Sequence, residues 1–153
     1  MRSLALLAVC ITIGSAATPA SADLLSAKGQ VFAILAGDLF VGEAEGHLDG
    51  SGTLAIRSQK TPALTCTGKF TSSAEAGGKG QMSCSNGNSA TFQFKRLTLR
   101  SGHGTGKLSR GTMNFTYGLS AEEALRYLKP PKDKKLRRDG NGLELLTSSG
   151  STA

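Results

Sequence analysis

The sequence has little of what most catalytic and metal-binding sites require. Its 153 residues include two histidines, three cysteines and no tryptophan. His47 and His103 do not stand in an H-E-x-x-H arrangement, and no serine or cysteine lies in a nucleophile motif. The glycines from Gly102 to Gly106 lack the Lys-Ser/Thr ending and the helix context of a phosphate loop. We therefore expect no enzymatic activity, no cofactor and no metal site.

Long apolar runs are absent beyond the N-terminus. The chain starts with Met1-Arg2, is mostly apolar from Leu4 to Ile13, and reaches an A-x-A site that ends at Ala22. This is the pattern of a secretory signal peptide. The apolar run is roughly half of the about 20 residues that a membrane span requires. Residues 1–22 are predicted to be a signal peptide, so the mature protein would be periplasmic or secreted.

Two cysteines, Cys66 and Cys84, belong to the mature chain, because Cys10 lies in the predicted signal peptide. An even count in an oxidising compartment predicts one disulfide. Two isolated thiols without a nearby histidine do not make a zinc site. Once Arg2 is removed, residues 23–153 carry 18 − 1 = 17 Lys+Arg against 11 Asp+Glu, a net charge of +6.

Apolar residues recur with a period of two through the middle of the chain, which predicts strands. Keeping these residues on one face of the sheet fixes the hairpin registers. A two-residue Asn-Gly turn at Asn86-Gly87 would mix the two faces, so a three-residue loop from Ser85 to Gly87 is preferred. The predicted cross-strand pairs are Cys66–Cys84, Gly68–Met82, Gly80–Phe92, Leu54–Cys66, Gly106–Phe115 and Gly104–Tyr117.

Eight candidate strands fit between residues 29 and 118. Glycines opposite aromatic rings let a sheet curve, so the fold class is all-β, an antiparallel meander that forms a small closed or partly closed barrel, or a coiled two-layer sheet. A change of apolar parity at Lys95-Arg96 predicts a bulge or a bend there, in a strand that continues through Leu97 and Leu99. The aromatic residues are expected to pack in the core rather than line a ligand cavity. They are Phe32, Phe70, Phe92, Phe94, Phe115 and Tyr117.

The C-terminal part changes character. Ser120 and Glu123 form a capping box, which predicts one short helix that Pro130-Pro131 ends. Residues 126–138 hold seven basic residues and one acid, a charge of 7 − 1 = +6. We divide the mature chain into a glycine-rich β-domain with the short helix, residues 23–128, and a basic, mostly disordered tail, residues 129–153. The candidate residues for binding an anionic partner are Lys129, Lys132, Lys134, Lys135, Arg137 and Arg138.

Three stretches resemble a pattern in small glycine-rich exported proteins of proteobacteria. They are C-x-G-x-F from Cys66, G-x-G-x-M-x-C-x-N-G from Gly78, and the G-x-G at Gly104. The resemblance covers about residues 42–118 and implies no particular activity. Many such proteins carry a lipobox, which this chain lacks, and the basic tail lies outside the resemblance.

These observations favour an exported, non-enzymatic binding protein of the cell envelope. Its basic tail would contact an anionic envelope polymer, a membrane surface or an envelope protein. Nucleic acid ranks low as a partner because export removes the usual targets. Two alternatives stay open. The tail could be a solvated segment that only aids solubility, or the protein could be a secreted hydrolase inhibitor that acts through a hairpin loop at Ser73–Gly77 or Ser101–His103.

Overall fold

The chain forms an antiparallel meander that closes into a barrel. A computed structural model describes residues 26–73 and 75–148, and the predicted signal peptide lies outside them. Each strand pairs with the next, and the eighth pairs with the first. The strands are β1 (Ser26–Leu35), β2 (Asp38–His47), β3 (Ser51–Ser58), β4 (Thr65–Ser73), β5 (Gly77–Cys84), β6 (Ser89–Arg96), β7 (Gly102–Leu108) and β8 (Thr112–Tyr117). The predicted all-β meander is confirmed, and it is a closed barrel.

Two of the predicted hairpins have the expected register. Between β4 and β5 the cysteines lie opposite each other and form the predicted disulfide. Between β5 and β6 the loop contains Gly87 at a φ of 80°, the left-handed conformation that a three-residue hairpin loop requires. The confirmed pairs are Cys66–Cys84, Gly68–Met82 and Gly80–Phe92.

Two other registers differ from the prediction by two residues. The pairs predicted between β3 and β4 and between β7 and β8 are wrong, although every side chain stays on its predicted face. A shift of two residues preserves the alternation of faces, so the apolar pattern alone does not distinguish the two registers. The observed pairs are Leu54–Gly68, Ile56–Cys66, Gly106–Met113, Gly104–Phe115 and Gly102–Tyr117.

A bend does follow Lys95-Arg96, but the strand does not continue through Leu97 and Leu99 as predicted. Strand β6 ends at Arg96, and the next residues form a turn in which the Leu97 amide donates to the Ser101 carbonyl at 2.8 Å. Leu97 and Leu99 are 45% and 76% exposed. The change of apolar parity therefore marks the end of a strand.

The barrel has two ends. The turns after β1, β3, β5 and β7 meet at one end, which we call the closed end, and the turns after β2, β4 and β6 meet at the other, which we call the open end. The Cys66–Cys84 disulfide belongs to the closed end, because β4 begins and β5 ends there. The buried residues of the inner face are Val31, Ala33, Leu35, Phe40, Leu54, Ile56, Cys66, Met82, Ala90, Phe92, Phe94, Met113 and Phe115.

A second hydrophobic core lies outside the barrel, against β1 and β2. Phe32 is fully buried although it points away from the barrel interior. The covering elements are a short helix α1 (Ala121–Ala124) and a hairpin of β9 (Lys134–Asp139) and β10 (Gly142–Thr147). The helix has the predicted capping box at Ser120. The buried residues of this second core are Phe32, Ile34, Leu39, Leu119, Ala121, Ala124, Leu128 and Leu143.

The expectation of a mostly disordered tail over residues 129–153 is therefore corrected for its described part, up to residue 148. Leu136 and Leu145 lie opposite each other in the hairpin and pack against the second core. The Lys134 ammonium also reaches back to the barrel, donating to the Gly37 carbonyl at 2.8 Å and to Asp38 at 3.0 Å. Burial of these leucines stabilises the folded hairpin, whereas repulsion among its positive charges opposes folding. Within the described residues, no helix is long and apolar enough to cross a membrane.

Candidate functional site

A cavity of about 510 Å³ occupies the open end of the barrel. Its volume lies within the range of about 300 to 1,000 Å³ that is usual for small-molecule sites. Five of the six aromatic residues expected to pack in the core also line this cavity, whereas Phe32 belongs to the second core. The interior is thus filled at the closed end and hollow at the open end. The aromatic lining residues are Phe70, Phe92, Phe94, Phe115 and Tyr117.

Strand β7 has glycines where the neighbouring strands carry aromatic residues, and side chains of β8 cover those glycines. Gly102, Gly104 and Gly106 all lie on its inner face, between the aromatic residues of β6 and β8. A Cβ atom at Gly104 would lie 2.6 Å from the Phe115 ring, so a larger residue does not fit. Rings from the flanking strands meet edge to face across these glycines. Their centroids are 5.5 Å apart for Phe92–Phe115 and 5.3 Å for Phe94–Tyr117.

Arg96 is one of three cations in the cavity lining, with Lys28 and Arg100. Its two terminal nitrogens donate to the Leu99 carbonyl at 3.1 Å and to the Ser72 hydroxyl at 2.9 Å. The Nε atom is buried and has no hydrogen-bond partner among the described residues. Both acceptors are neutral, and Arg96 forms no ion pair with those residues. A partly buried guanidinium is thus held in place with its Nε donor unused.

Tyr117 places a second unused donor in the same lining. Its hydroxyl oxygen is buried and has no partner in the described part of the chain, and its ring packs on Gly102. Burial raises the pKa of Tyr117, an effect that the nearby Arg96 charge partly opposes. The hydroxyl therefore keeps its proton at neutral pH and acts as a donor. Tyr117 is on β8 and Arg96 on β6, and Gly102 between them lies opposite both.

The edge of the cavity carries more positive than negative charge. Its charged lining residues are Lys28, Arg96 and Arg100 against the single carboxylate of Asp49. That carboxylate accepts hydrogen bonds from the Ser51 hydroxyl at 2.6 Å and the Ser51 amide at 2.9 Å, which lower the pKa of Asp49. Asp49 therefore stays charged but is engaged within its own turn. The charged residues of the cavity lining therefore carry a net positive charge.

A wider depression lies on the outer face of β3 to β6. Its lining includes exposed polar residues such as Thr53, Thr67 and Lys69. This depression is larger but open to solvent, so a ligand there would keep much of its surface in water. We therefore place the candidate site in the inner cavity, where aromatic walls enclose a ligand on several sides.

The basic residues predicted to bind an anionic partner divide into two groups. Three of them form ion pairs within the chain: Lys134 with Asp38, Arg137 with Glu144, and Arg138 with Glu122. The pairing with Glu144 raises the pKa of Arg137. The other three are exposed and have no ion-pair partner among the described residues. They are Lys129, Lys132 and Lys135.

The two histidines lie apart from each other. His103 stacks on Tyr127 at the barrel surface, with ring centroids 4.5 Å apart, whereas His47 is exposed at the end of β2. In the described part of the chain, no group of three or more His, Cys, Asp or Glu side chains could hold a metal ion. Of the two loops considered for hydrolase inhibition, the one at Ser101 is tied down, because Ser101 is 5% exposed and bonds to Thr98.

Sequence reasoning did not select Arg96 as a functional residue. A signal was present, because Arg96 continues the series Phe92, Phe94 of inward-facing residues on β6. The assumed bulge at that point broke the series. The register error of two residues between β7 and β8 likewise placed Tyr117 opposite Gly104 instead of Gly102, and so away from Arg96.

The fold defines the chain as an eight-stranded closed antiparallel barrel with an interior cavity. No protein-family model matches the sequence, and no curated protein matches it. A solved structure similar to this chain is a redesigned β-barrel, mFAP1, bound to DFHBI. The two are 14% identical with a TM-score of 0.49, and the match covers 65% of this chain and 98% of the other.

Proposed function

We propose that the protein is an exported, non-enzymatic binding protein that holds a small ligand with an apolar body in the open end of its barrel. The single observation that carries this proposal is the cavity of about 510 Å³ lined by aromatic rings. Eight-stranded barrels have an interior just wide enough to be filled by side chains or to hold one small ligand. In this chain, the cavity at the open end leaves room for the second option.

Two observations support export. Residues 1–22 have the three-part pattern of a signal peptide. The Cys66–Cys84 disulfide is of a kind that persists in oxidising compartments and is rare in the cytosol. The proposed location is therefore the periplasm or the extracellular space.

Filling the cavity tests the ligand proposal. Ala44 lines the cavity from β2, whereas Ala55 is exposed on the outer face of β3. We expect Ala44→Phe to weaken binding of the neutral fluorescent probe N-phenyl-1-naphthylamine by at least about tenfold, because its ring occupies the space that the probe requires. The matched Ala55→Phe variant adds the same ring outside and should bind the probe as the unaltered protein does.

Thermal unfolding of both variants shows whether the barrel is intact. Failure of the folded, unaltered protein to enhance the fluorescence of the probe would contradict the proposal. Equal binding by the two phenylalanine variants would also contradict it, because the probe would then lie elsewhere on the protein.

A second candidate function is the contact of the basic segment with an anionic envelope polymer, a membrane surface or an envelope protein. Lys129, Lys132 and Lys135 support it, because they are exposed and no described residue neutralises them. The segment that carries them is anchored to the barrel, since the Asn114 side chain exchanges two hydrogen bonds with the Lys129 backbone at 2.8 and 3.1 Å. Anchored charges lose less entropy on binding than charges on a free tail.

Substitution tests this second function better than truncation, because truncation would uncover the second core. The triple variant Lys129→Gln, Lys132→Gln, Lys135→Gln should bind vesicles of anionic phospholipid more weakly, and the difference should shrink as salt is added. The control removes three charges elsewhere, from the exposed residues Lys60, Lys69 and Lys79. Equal losses in both triple variants would indicate a nonspecific effect of net charge and contradict the proposal.

A further inference from the structure

The cavity has a polarity gradient along the barrel axis. On β6 the inward-facing residues run Phe92, Phe94 and Arg96 toward the open end, and on β8 they run Phe115 then Tyr117. Phe92 and Arg96 are four positions apart on β6, so their Cα atoms are about 13 Å apart along the strand. The inner part of the cavity therefore offers apolar contacts. Its mouth, at the open end of the barrel, offers hydrogen-bond donors and positive charge.

The two donors at the mouth belong to one constellation. Arg96 and Tyr117 lie opposite Gly102 on either side of it, so no side chain separates them. A Cβ atom at position 102 would lie 2.5 Å from the Tyr117 hydroxyl oxygen, which shows how closely that hydroxyl approaches the β7 backbone. Within residues 26–73 and 75–148, neither the Arg96 Nε donor nor the Tyr117 hydroxyl has a hydrogen-bond partner.

This constellation is suited to an anion. The guanidinium has five donors and no acceptor, and a protonated tyrosine hydroxyl donates one hydrogen bond. Arg96 and Tyr117 both line the cavity, and each holds a buried donor without a partner among the described residues. Buried donors normally have partners, so these two residues are the candidate place for a ligand acceptor. The guanidinium also lacks a carboxylate partner among the described residues. An anionic oxygen would satisfy the charge and both donors together.

We propose that the ligand is an amphipath whose anionic head, a carboxylate or a phosphate, is bound by Arg96 and Tyr117 at the mouth, while its apolar part lies among the aromatic rings below. This inference deepens the proposed function and rests on it. The head lies at the mouth because that is where the donors are. A neutral apolar ligand of the same size would fill the cavity but leave both donors unpaired.

The test compares ligands that share one chain and differ in the head. Dodecanoate, dodecyl phosphate and dodecanol each displace N-phenyl-1-naphthylamine from the protein, and their dissociation constants follow from the loss of fluorescence. Arg96→Gln should weaken the two anions by about tenfold to a hundredfold, and Tyr117→Phe by several-fold, while dodecanol changes by less than about twofold. The anion that loses more identifies the preferred head.

Two controls separate the site from general effects. Lys95→Gln removes one positive charge from the neighbouring residue, which is exposed on the outer face of β6, and should change none of the three constants. Arg96→Lys keeps the charge but not the fixed Nε donor, and should recover only part of the anion affinity. Retained binding of the neutral probe shows that each variant is folded. Tyr117→Phe also leaves the hydrogen bonds of Arg96 to Leu99 and Ser72 in place, so it tests the site without disturbing that loop.

Each outcome has a definite meaning. Selective weakening of the anions by Arg96→Gln and Tyr117→Phe supports the inference. Equal behaviour of dodecanol and the two anions in both variants overturns it and leaves the proposed function standing, since ligands would still enter the cavity. Failure of the neutral probe and of dodecanol to bind the unaltered protein overturns the proposed function itself.

Discussion

Removal of the Cys66–Cys84 disulfide should lower the free energy of unfolding by about 3 kcal/mol. The bridge joins residues 18 positions apart, and loop-closure entropy for a loop of that size gives this value at 25 °C. Strands β4 and β5 are already paired by their backbones, so the bridge acts mainly by restricting the unfolded chain. The double variant Cys66→Ala, Cys84→Ala should lose slightly more, because Cys66 is 1% exposed and its sulfur fills part of the core.

Urea denaturation measures the loss. The chain has no tryptophan, so far-ultraviolet circular dichroism of the sheet is the appropriate signal. With a denaturant dependence of about 1 to 3 kcal/mol per molar urea, the midpoint should fall by about 1 to 3 M. Reductant should cause this fall in the unaltered protein and have no effect on the double alanine variant. Identical midpoints for the oxidised and reduced protein would refute the reasoning.

Three further predictions concern the two cores and the helix. Leu128→Ala should cost about 2 to 4 kcal/mol in urea denaturation because Leu128 is 5% exposed in the second core, whereas Leu48→Ala, at 81% exposed, should cost almost nothing. Gly104→Ala should destabilise the barrel by about 1 to 3 kcal/mol through overlap with neighbouring atoms, whereas Gly46→Ala meets no atom closer than 3.9 Å and should be tolerated. Hydrogen bonds from the backbone and side chain of Ser120 lower the pKa of Glu123. The stability that Glu123 contributes is therefore complete above its ordinary pKa and is lost as pH falls through the lowered value. Glu123→Gln should flatten this part of the plot of unfolding free energy against pH.

The registers show which information the apolar pattern carries. Between β4 and β5 the disulfide supplies a constraint independent of hydrophobicity, and the predicted register is correct. Between β7 and β8 no such constraint exists, and the prediction is wrong by two residues. A period of two fixes the face of every side chain and leaves the register open to shifts of two. Loop length then decides, and several loop lengths suit the same glycine-containing turn.

The hairpin of β9 and β10 could have been predicted from residues that were read as charge. Leu136, Leu143 and Leu145 lie on both sides of a turn that contains Gly140, where φ is 56°. A glycine turn flanked by spaced leucines is a hairpin signal. The continuous apolar run from Val31 to Leu35 on β1 gave a complementary signal, because a strand that is apolar on both faces needs cover on both.

The cavity could not be predicted from the sequence. The aromatic residues that line it also pack in the core, and their spacing on the strands is the same for a filled and a hollow barrel. Whether a cavity remains depends on how the aromatic rings of β6 and β8 pack against each other across the glycines of β7. That arrangement follows from register and strand tilt together, and an error of two residues in one register is enough to move Tyr117 away from Arg96.

A cluster of basic residues in a sequence does not by itself show that the folded surface carries the same net charge. The basic segment carries +6 between residues 126 and 138, but folding brings Asp38, Glu122 and Glu144 to three of its cations. Arg96 contributes a single charge, and no described carboxylate pairs with it. Because it lines a partly enclosed cavity, water screens its charge less than it screens an exposed lysine, and the attraction for an anion is correspondingly stronger. If the proposed ligand is anionic, Arg96 should therefore contribute more to its binding than an exposed lysine of the basic segment does.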